Sequence, residues 1–599
     1  MPKQNAIPSP RMKQFMLMIR KYFPKKSQFF YNGSHYQPSD THYFESGNSK
    51  VLQRYKSSFF RSFCADSEAS QPSKLPRHLR DLTIFAGSTI YLKKLIKQNQ
   101  TLQHIVFESE NAELNEEVLK YLKFSKNLLS IRFKRRLPCF SDTICQKMRK
   151  TWGNTIEVFS SLSAVHDQYH NDGESFKRVM ETILKLPKLK KLELKSSAIA
   201  LENYFPFEKL QERNIAYEVG FAAGRGSFDS LQKNSPNFKP TGEVVIQPPM
   251  SYFTLGNHRF KEDSKQTIFL YPGARRDWGR VFLLPVFQNI HALDLGIVGK
   301  SWDLSSLGQL NNLKHLSFNC VDLAGVETDM FEYLFTYLNE NVAPHKKLET
   351  FLIRLNLKGQ KKQNVNPALF FFEACSETLR KVHFESRYLS EKSDQAEHFY
   401  EGLSRLKSLQ SLSISLDFQE FESKQQIEKI SQITTGMKSL EELDFKILKK
   451  NHQEEVLNLR FPPELKKLSL DMNVFFNASK SFWSLPNLTH LELEFIDLIS
   501  QKWTKTCHDI MDNLKQLSVL ILKETQRVFS RNEMPEINEK LGKLMTEYSN
   551  LKLVIFANLE SKGMLILRRN DYSWSKINLI IDSLSLKKDM KFNYIKSYE

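Results

Sequence analysis

The chain has 599 residues, too many for one ordinary compact core, so it folds as several domains or as an open-ended repeat array. Apolar residues make up 41% of it and no run of 18 or more apolar residues occurs, which argues against wholesale disorder and against a membrane-spanning helix. The net charge of +19 is unevenly placed: residues 1–78 carry 13 Lys/Arg against 4 Asp/Glu and the other 521 carry 73 against 63, so any polyanion reading belongs first to the N-terminal segment.

Residues 1–39 hold seven Lys/Arg and no acid. Within "RMKQFMLMIRKYF" (11–23), Met12, Phe15, Met16, Ile19 and Phe23 form one helical stripe opposite Lys13, Gln14, Arg20 and Lys21. A basic amphipathic helix of this kind suits contact with an anionic membrane or other polyanion, a mitochondrial transit peptide, a partner motif, or packing on the first folded repeat; all four stay open. Residues 24–74 show no periodicity, so 1–74 is expected to be a basic, loosely ordered N-terminal region.

From residue 75 onward a pattern recurs. L-x-x-L-x-L, with Ile, Val or Phe admitted in the apolar slots, begins at Leu79, Leu102, Leu128 and Leu189. It resumes at Ile290, Leu313, Leu348, Leu379, Leu409, Leu440, Leu465, Leu488, Leu517 and Leu551. Two copies, "LKHLSFNCVDL" (313–323) and "LTHLELEFIDL" (488–498), read almost alike. Amphipathic stretches precede many copies, among them "SFKRVMETILKLP", "DMFEYLFTYLNENV" and "INEKLGKLMTEYSN". The predicted unit is therefore helix, turn, short strand and loop. One such unit has too little apolar surface to offset its own conformational entropy, so the inward Leu/Phe set must recur for stacked copies to bury one another.

These motifs resemble the leucine-rich-repeat family, in the style of its ribonuclease-inhibitor-like type. The resemblance implies an α/β solenoid with a curved parallel sheet on the concave side and helices on the convex side. It covers about 79–195 and 286–560. The family continues its pattern with Asn or Cys three places after the last Leu; Asn356 and Asn473 fill that slot, whereas Val321 and Ile496 stand there in the two near-identical copies. The expected organisation is repeats over 75–200, an interruption or degenerate repeats over 201–285, repeats over 286–560, and a C-terminal cap over 561–599.

Inside the interruption, "IAYEVGF" (215–221) and "QTIFLYP" (266–272) read as strands. "GFAAGRGSF" (220–228) lacks the Lys-Ser/Thr ending of a phosphate-binding loop. Arg275, Arg276 and Arg280 around Trp278 make a candidate anion or partner site, with a plain surface turn as the alternative.

Alternate strand residues point away from the core. One outward row reads Asp294, Ser317, Leu352, His383, Ser413, Asp444, Ser469, Glu492; the next reads Gly296, Asn319, Arg354, Glu385, Ser415, Lys446, Asp471, Glu494. Mixed signs without a basic-aromatic stripe suit a protein partner better than a nucleic-acid track. Candidate partner-binding residues are Arg354, His383, Lys446, Asp471 and Glu494, with the outward His315 and His490 of the paired motifs.

No nucleophile elbow, H-E-x-x-H, kinase signature or dinucleotide fingerprint occurs, and no cofactor is expected. Six cysteines (Cys64, Cys139, Cys145, Cys320, Cys375, Cys507) are too scattered for a disulfide framework or a zinc knuckle. The N-terminus lacks the apolar core of a secretory signal, so a cytoplasmic protein is expected, or a mitochondrial one if 1–39 is a transit peptide. The functional expectation is a non-enzymatic, monomeric interaction scaffold. The alternatives are a ubiquitin-ligase adaptor and a membrane or nucleic-acid binder acting through the N-terminal tail.

Overall fold

The structure, a computed structural model, describes residues 62–65, 79–84, 89–109, 111–134, 140–161, 173–194, 207–223, 240–246, 266–272, 287–297, 305–320, 330–356, 366–389, 400–418, 423–447, 459–471, 485–495, 501–524, 533–558, 563–573, 576–577, 580 and 591–598. The expected helix at 11–23, the arginines Arg275, Arg276 and Arg280, and Asn473 lie outside these residues. Two compact units are present, the first comprising 1–199 and 203–219 and the second 200–202 and 220–599.

In the first unit, β1 (Ser62–Ala65), β2 (Asp81–Ile84), β3 (His104–Phe107), β4 (Ser130–Phe133), β5 (Val158–Ser161), β6 (Lys191–Leu194) and the start of β7 (Ala216–Ala223) pair in sequence order, all parallel. Between them run α1 (Thr89–Gln98), α2 (Ala112–Tyr121), α3 (Asp142–Lys150), α4 (Gly173–Leu184) and α5 (Phe207–Glu212). Helix α2 begins where Asn111 Oδ1 accepts from the Leu114 amide at 2.9 Å, satisfying one otherwise orphaned donor.

The second unit contains β8 (Glu243–Ile246), β9 (Gln266–Pro272), β10 (Ala292–Ile297), β11 (His315–Cys320), β12 (Thr350–Asn356), β13 (Lys381–Leu389) and β14 (Ser411–Phe418). It continues through β15 (Glu442–Ile447), β16 (Lys467–Asp471), β17 (His490–Phe495), β18 (Val519–Glu524), β19 (Leu553–Asn558), β20 (Gly563–Arg569) and β21 (Lys591–Tyr598). Its helices are α6 (Met330–Asn341), α7 (Asn366–Ala374), α8 (Ser423–Gly436), α9 (Gln501–Asn513) and α10 (Glu533–Glu547). From β10 to β19 the strands are parallel and in sequence order.

All fourteen copies of the repeat motif lead into strands, because the second and third apolar slots of each point into the core. Leu82, Ile105, Ile131, Leu192, Leu316, Val382, Leu412, Leu468, Leu491 and Val554 are each 0–1% exposed. Burying one such side chain contributes about 1.5–3 kcal/mol. Facing helices complete the packing. Phe335 of α6 and Phe371 and Phe372 of α7 close around Phe351 of β12 with ring centroids 5.1–6.2 Å apart. The fold is thus an α/β leucine-rich-repeat solenoid.

A backbone motif sets the register between repeats. Two successive amides at the start of a strand donate to one carbonyl of the previous repeat: Gln103 and His104 to Arg80, Lys190 and Lys191 to Glu157, Lys314 and His315 to His291, Ser518 and Val519 to Thr489. Side chains add further ties. Buried Asn99 accepts from the Leu79 amide at 2.8 Å and donates to the Leu95 carbonyl at 2.7 Å.

Three features depart from a simple array. Strand β8 lies between β9 and β10, so the chain passes out to β9 and returns across β8. Strand β20 runs antiparallel to β19, and β21 then pairs parallel to β20. Strand β5 carries Ser161 in the third apolar slot, which is why the motif passes over it.

Candidate interaction surface

The parallel register converts the periodic sequence into two rows on the outward side of the sheet. Asp294, Ser317, Leu352, His383, Ser413, Asp444, Ser469, Glu492, Ile521 and Ile555 stand side by side on β10 to β19. In the second row, Asn319, Arg354, Glu385, Ser415 and Lys446 are successive neighbours, as are Asp471, Glu494, Lys523 and Ala557. Gly296 is not part of it: the β10–β11 register shifts after Asp294, and Ile297 stands beside Asn319 instead.

Opposite charges on adjacent strands meet. Arg354 donates from Nε to Glu385 Oε2 at 2.6 Å, and its Nη2 pairs with the same oxygen. Ser413 Oγ donates to Asp444 Oδ2 at 2.9 Å, and Lys446 Nζ lies 3.4 Å from Asp444 Oδ1. Lys523 donates to Glu492. Burial works against the Asp444 carboxylate, yet Lys446, Ser469, Lys523 and Ser413 hold its pKa below the ordinary value. Burial likewise opposes the Lys446 ammonium, while Asp444, Glu492 and Glu494 raise it above its usual range. This group forms an interlocked patch over β14 to β18.

The seven residues expected to contact a partner divide by exposure. His315, His383 and Asp471 are 4%, 8% and 7% exposed and present little surface. Arg354, Lys446, His490 and Glu494 are half-buried. The two histidines of the near-identical motifs do not converge. His315 borders Ala292 and Thr350, whereas His490 borders Lys467 and Val519. Burial, assisted by Lys467 and partly countered by Glu442, lowers the His490 pKa to about 4, and its Nδ1 lies 2.8 Å from Thr489 Oγ1. It is a neutral imidazole near pH 7.

Toward the C-terminus the outward side closes. Val519, Ile521, Leu553, Ile555, Ala557, Met564 and Ile566 face outward on β18 to β20 yet are only 0–5% exposed. Arg568, on the outward side, donates from Nη1 to the Tyr572 carbonyl at 2.8 Å, and Ile577 follows, fully buried. The half-buried outward residues, among them Asp294, Arg354, Ser413, Asp444, Lys446, Ser469, Glu492 and Glu494, lie between β10 and β17. Sequence reasoning also missed Glu524 and Asn558, register partners at 0% exposure one place before the family's Asn/Cys slot.

Chemistry elsewhere is muted. Cys145, Cys375 and Cys507 are free and buried. Burial raises the Cys375 thiol to about 12 and the Cys507 thiol well above its usual value, so neither is a ready nucleophile. His508, adjacent to Cys507 on α9, turns instead to Tyr548 Oη at 3.1 Å. Among the described residues no group of three or more His, Cys, Asp or Glu could hold a metal ion, and no helix is long and apolar enough to cross a membrane.

No family model matches the chain, and no curated protein matches it. Among solved structures it is similar to the complex of TLR13 with ssRNA13, at 13% identity and a TM-score of 0.34 over 93% of this chain and 77% of that one. It is also similar to the complex of Rad7 and Elc1 in yeast, at 15% identity and a TM-score of 0.24 over 82% of this chain and 87% of that one. The assignment of the architecture rests on the strand register described above.

Proposed function

We propose that this chain is a non-catalytic scaffold that holds a protein partner against the outward side of β10 to β17. The supporting observation is the patch formed by Arg354, Glu385, Asp444, Lys446, Glu492 and Glu494. Arg354 is held by Glu385 and Lys446 by Asp444, with Glu492 and Glu494 beside them, on a sheet whose other side is a packed core. Strands stack at about 4.8 Å, so the eight strands present a face roughly 35 Å wide, enough for an interface of ordinary size. Mutual pairing holds the side chains in place before binding and lowers the ordering cost of association. The half-buried Arg354, Lys446 and Glu494 are the proposed contacts, with Glu494 at the end of the patch. Helices opposite the sheet in most repeats support reading these repeats as the ribonuclease-inhibitor-like type.

The test is affinity purification with mass spectrometry on three versions of the full chain: wild type, Glu494→Lys, and a deletion of residues 1–58 that leaves β1 in place. Partners retained by the deletion and lost by Glu494→Lys support the proposal. Partners lost with residues 1–58 and indifferent to Glu494→Lys place recognition in the basic segment and refute it.

A further inference from the structure

In the first unit, four successive repeats end their helical segment with an exposed lysine. Lys97, Lys123, Lys150 and Lys185 precede the first apolar slot of the β3, β4, β5 and β6 repeats, respectively Leu102, Leu128, Ile156 and Leu189, by four to six residues. Lys126 and Lys188, in the turns that follow, add two more exposed cations along the edge where the strands begin. Among the described residues none of these six lysines meets a carboxylate. Two acids of the same repeats, Glu117 and Glu157, are engaged by Lys120 and Lys190 at 2.9 Å.

Stabilisation of helix C-termini accounts for one cation at each helix end. It does not account for the contrast with the second unit at the helix ends. There the positions four to six residues before the slot hold no lysine among the described residues, but Gln309, Glu373, Arg405, Thr435, Arg460, Asp512 and Glu547, while turn lysines recur at Lys347, Lys407, Lys438 and Lys515. The helix-end lysines are thus a property of the first unit, and there they add to turn lysines that both units carry.

Aromatic rings are interleaved with it. Lys93 stands 5.2 Å over the Tyr121 ring, and Lys97 and Lys123 flank the Phe124 ring at 5.9 and 5.2 Å. Both rings are half-buried, held by the repeat beneath while a side remains in reach of solvent. Phosphates that drew these ammonium groups outward would leave the rings available for base stacking, the pairing of features that binds single strands. An anionic membrane is the weaker fit, because interfacial binding needs apolar anchors. The one exposed large aliphatic side chain of this unit among the described residues, Ile90, stands at the start of α1 and not on the edge where the strands begin.

We propose that the strand-start edge of the first unit binds single-stranded nucleic acid, with Lys97, Lys123, Lys126, Lys150, Lys185 and Lys188 on phosphates and Tyr121 and Phe124 beneath bases. Helices pack about 8–10 Å apart, so the cations recur at intervals that a flexible strand can follow. Contact through six lysines gives a log–log salt dependence of about −4, since each phosphate neutralised on a single strand contributes about −0.7.

Fluorescence anisotropy on the full chain tests this, with a labelled oligouridine of about 20 nucleotides titrated across a salt series. The combined variant Lys97→Gln/Lys123→Gln/Lys150→Gln/Lys185→Gln is expected to reduce the slope by about 3 in magnitude, and the matching Lys→Arg set to retain it. The two halves of the combined variant, made separately, each remove about half of that change and serve if the full set misfolds. Deletion of residues 1–58 leaves the part of the slope that depends on these lysines in place. An unchanged slope in the Lys→Gln variants overturns the proposal. So does oligouridine binding that disappears with residues 1–58 alone. Loss of binding to phosphatidylserine vesicles in the Lys→Gln variants, with oligouridine binding intact, also overturns it and makes the edge a membrane surface.

Discussion

Lys446→Met is the sharpest test of the electrostatics on the outward side. The substitution keeps most of the side-chain volume and removes the ammonium that opposes Asp444, Glu492 and Glu494. Asp444 and Lys446 retain 31% and 24% of their side-chain exposure. The cost therefore falls between the 0–1 kcal/mol of a surface pair and the 3–5 kcal/mol of a fully buried one, at about 2 kcal/mol. The pH dependence follows from the direction of the Asp444 shift. In the wild type its pKa is depressed in the folded state, so it contributes stability above its unfolded pKa that is lost as pH falls through the folded value. Without Lys446, burial dominates and raises the carboxyl, so the deficit is largest at neutral pH and shrinks as Asp444 takes up a proton. Hydrogen exchange of the β15 to β17 amides, measured at about pH 7 and about pH 4, resolves this locally, where global unfolding of a repeat array need not be two-state. Equal protection in variant and wild type at neutral pH, or a deficit that does not change with pH, refutes the reasoning.

Three further outcomes are expected. Phe351→Ala, at a fully buried ring touching α6 and α7, costs about 3–5 kcal/mol and Phe351→Leu distinctly less, read from urea midpoints. The His490 imidazole titrates near 4 by NMR; because its folded pKa lies below the unfolded value, stability is full above the unfolded pKa of about 6.5 and declines as pH falls from there toward 4. His490→Gln removes that decline, whereas a titration midpoint near 6.5 in the wild type contradicts the burial argument. Deleting residues 571–599 removes the buried Ile577 and β21, the strand paired with β20, and the truncated chain binds a hydrophobic dye and self-associates in sedimentation velocity, unlike the full chain.

The repeat motifs determined the strands and the core, because inward Leu and Phe at fixed local spacing suffice to place a strand and its facing helix. Leu316, Leu491 and Val554 sit where their motifs put them. Local spacing also assigned outward positions one strand at a time, so Arg354, Lys446 and Glu494 were legible as surface candidates. What each outward residue meets was decided by tertiary structure. Arg354 pairs with Glu385 and Lys523 with Glu492, each 31 residues distant, because parallel register brings successive repeats side by side. Register also left His315 and His383 with little exposure. The order of β9, β8 and β10 and the reversal of β20 are likewise pairings between distant segments, and no local periodicity encodes them. Closure of the outward side at the C-terminal end is likewise visible only in the burial of Val519, Ile521, Leu553 and Ile555. The sequence by itself thus settled what repeats and which side of each strand is core; parallel register between distant segments settled which outward residues meet.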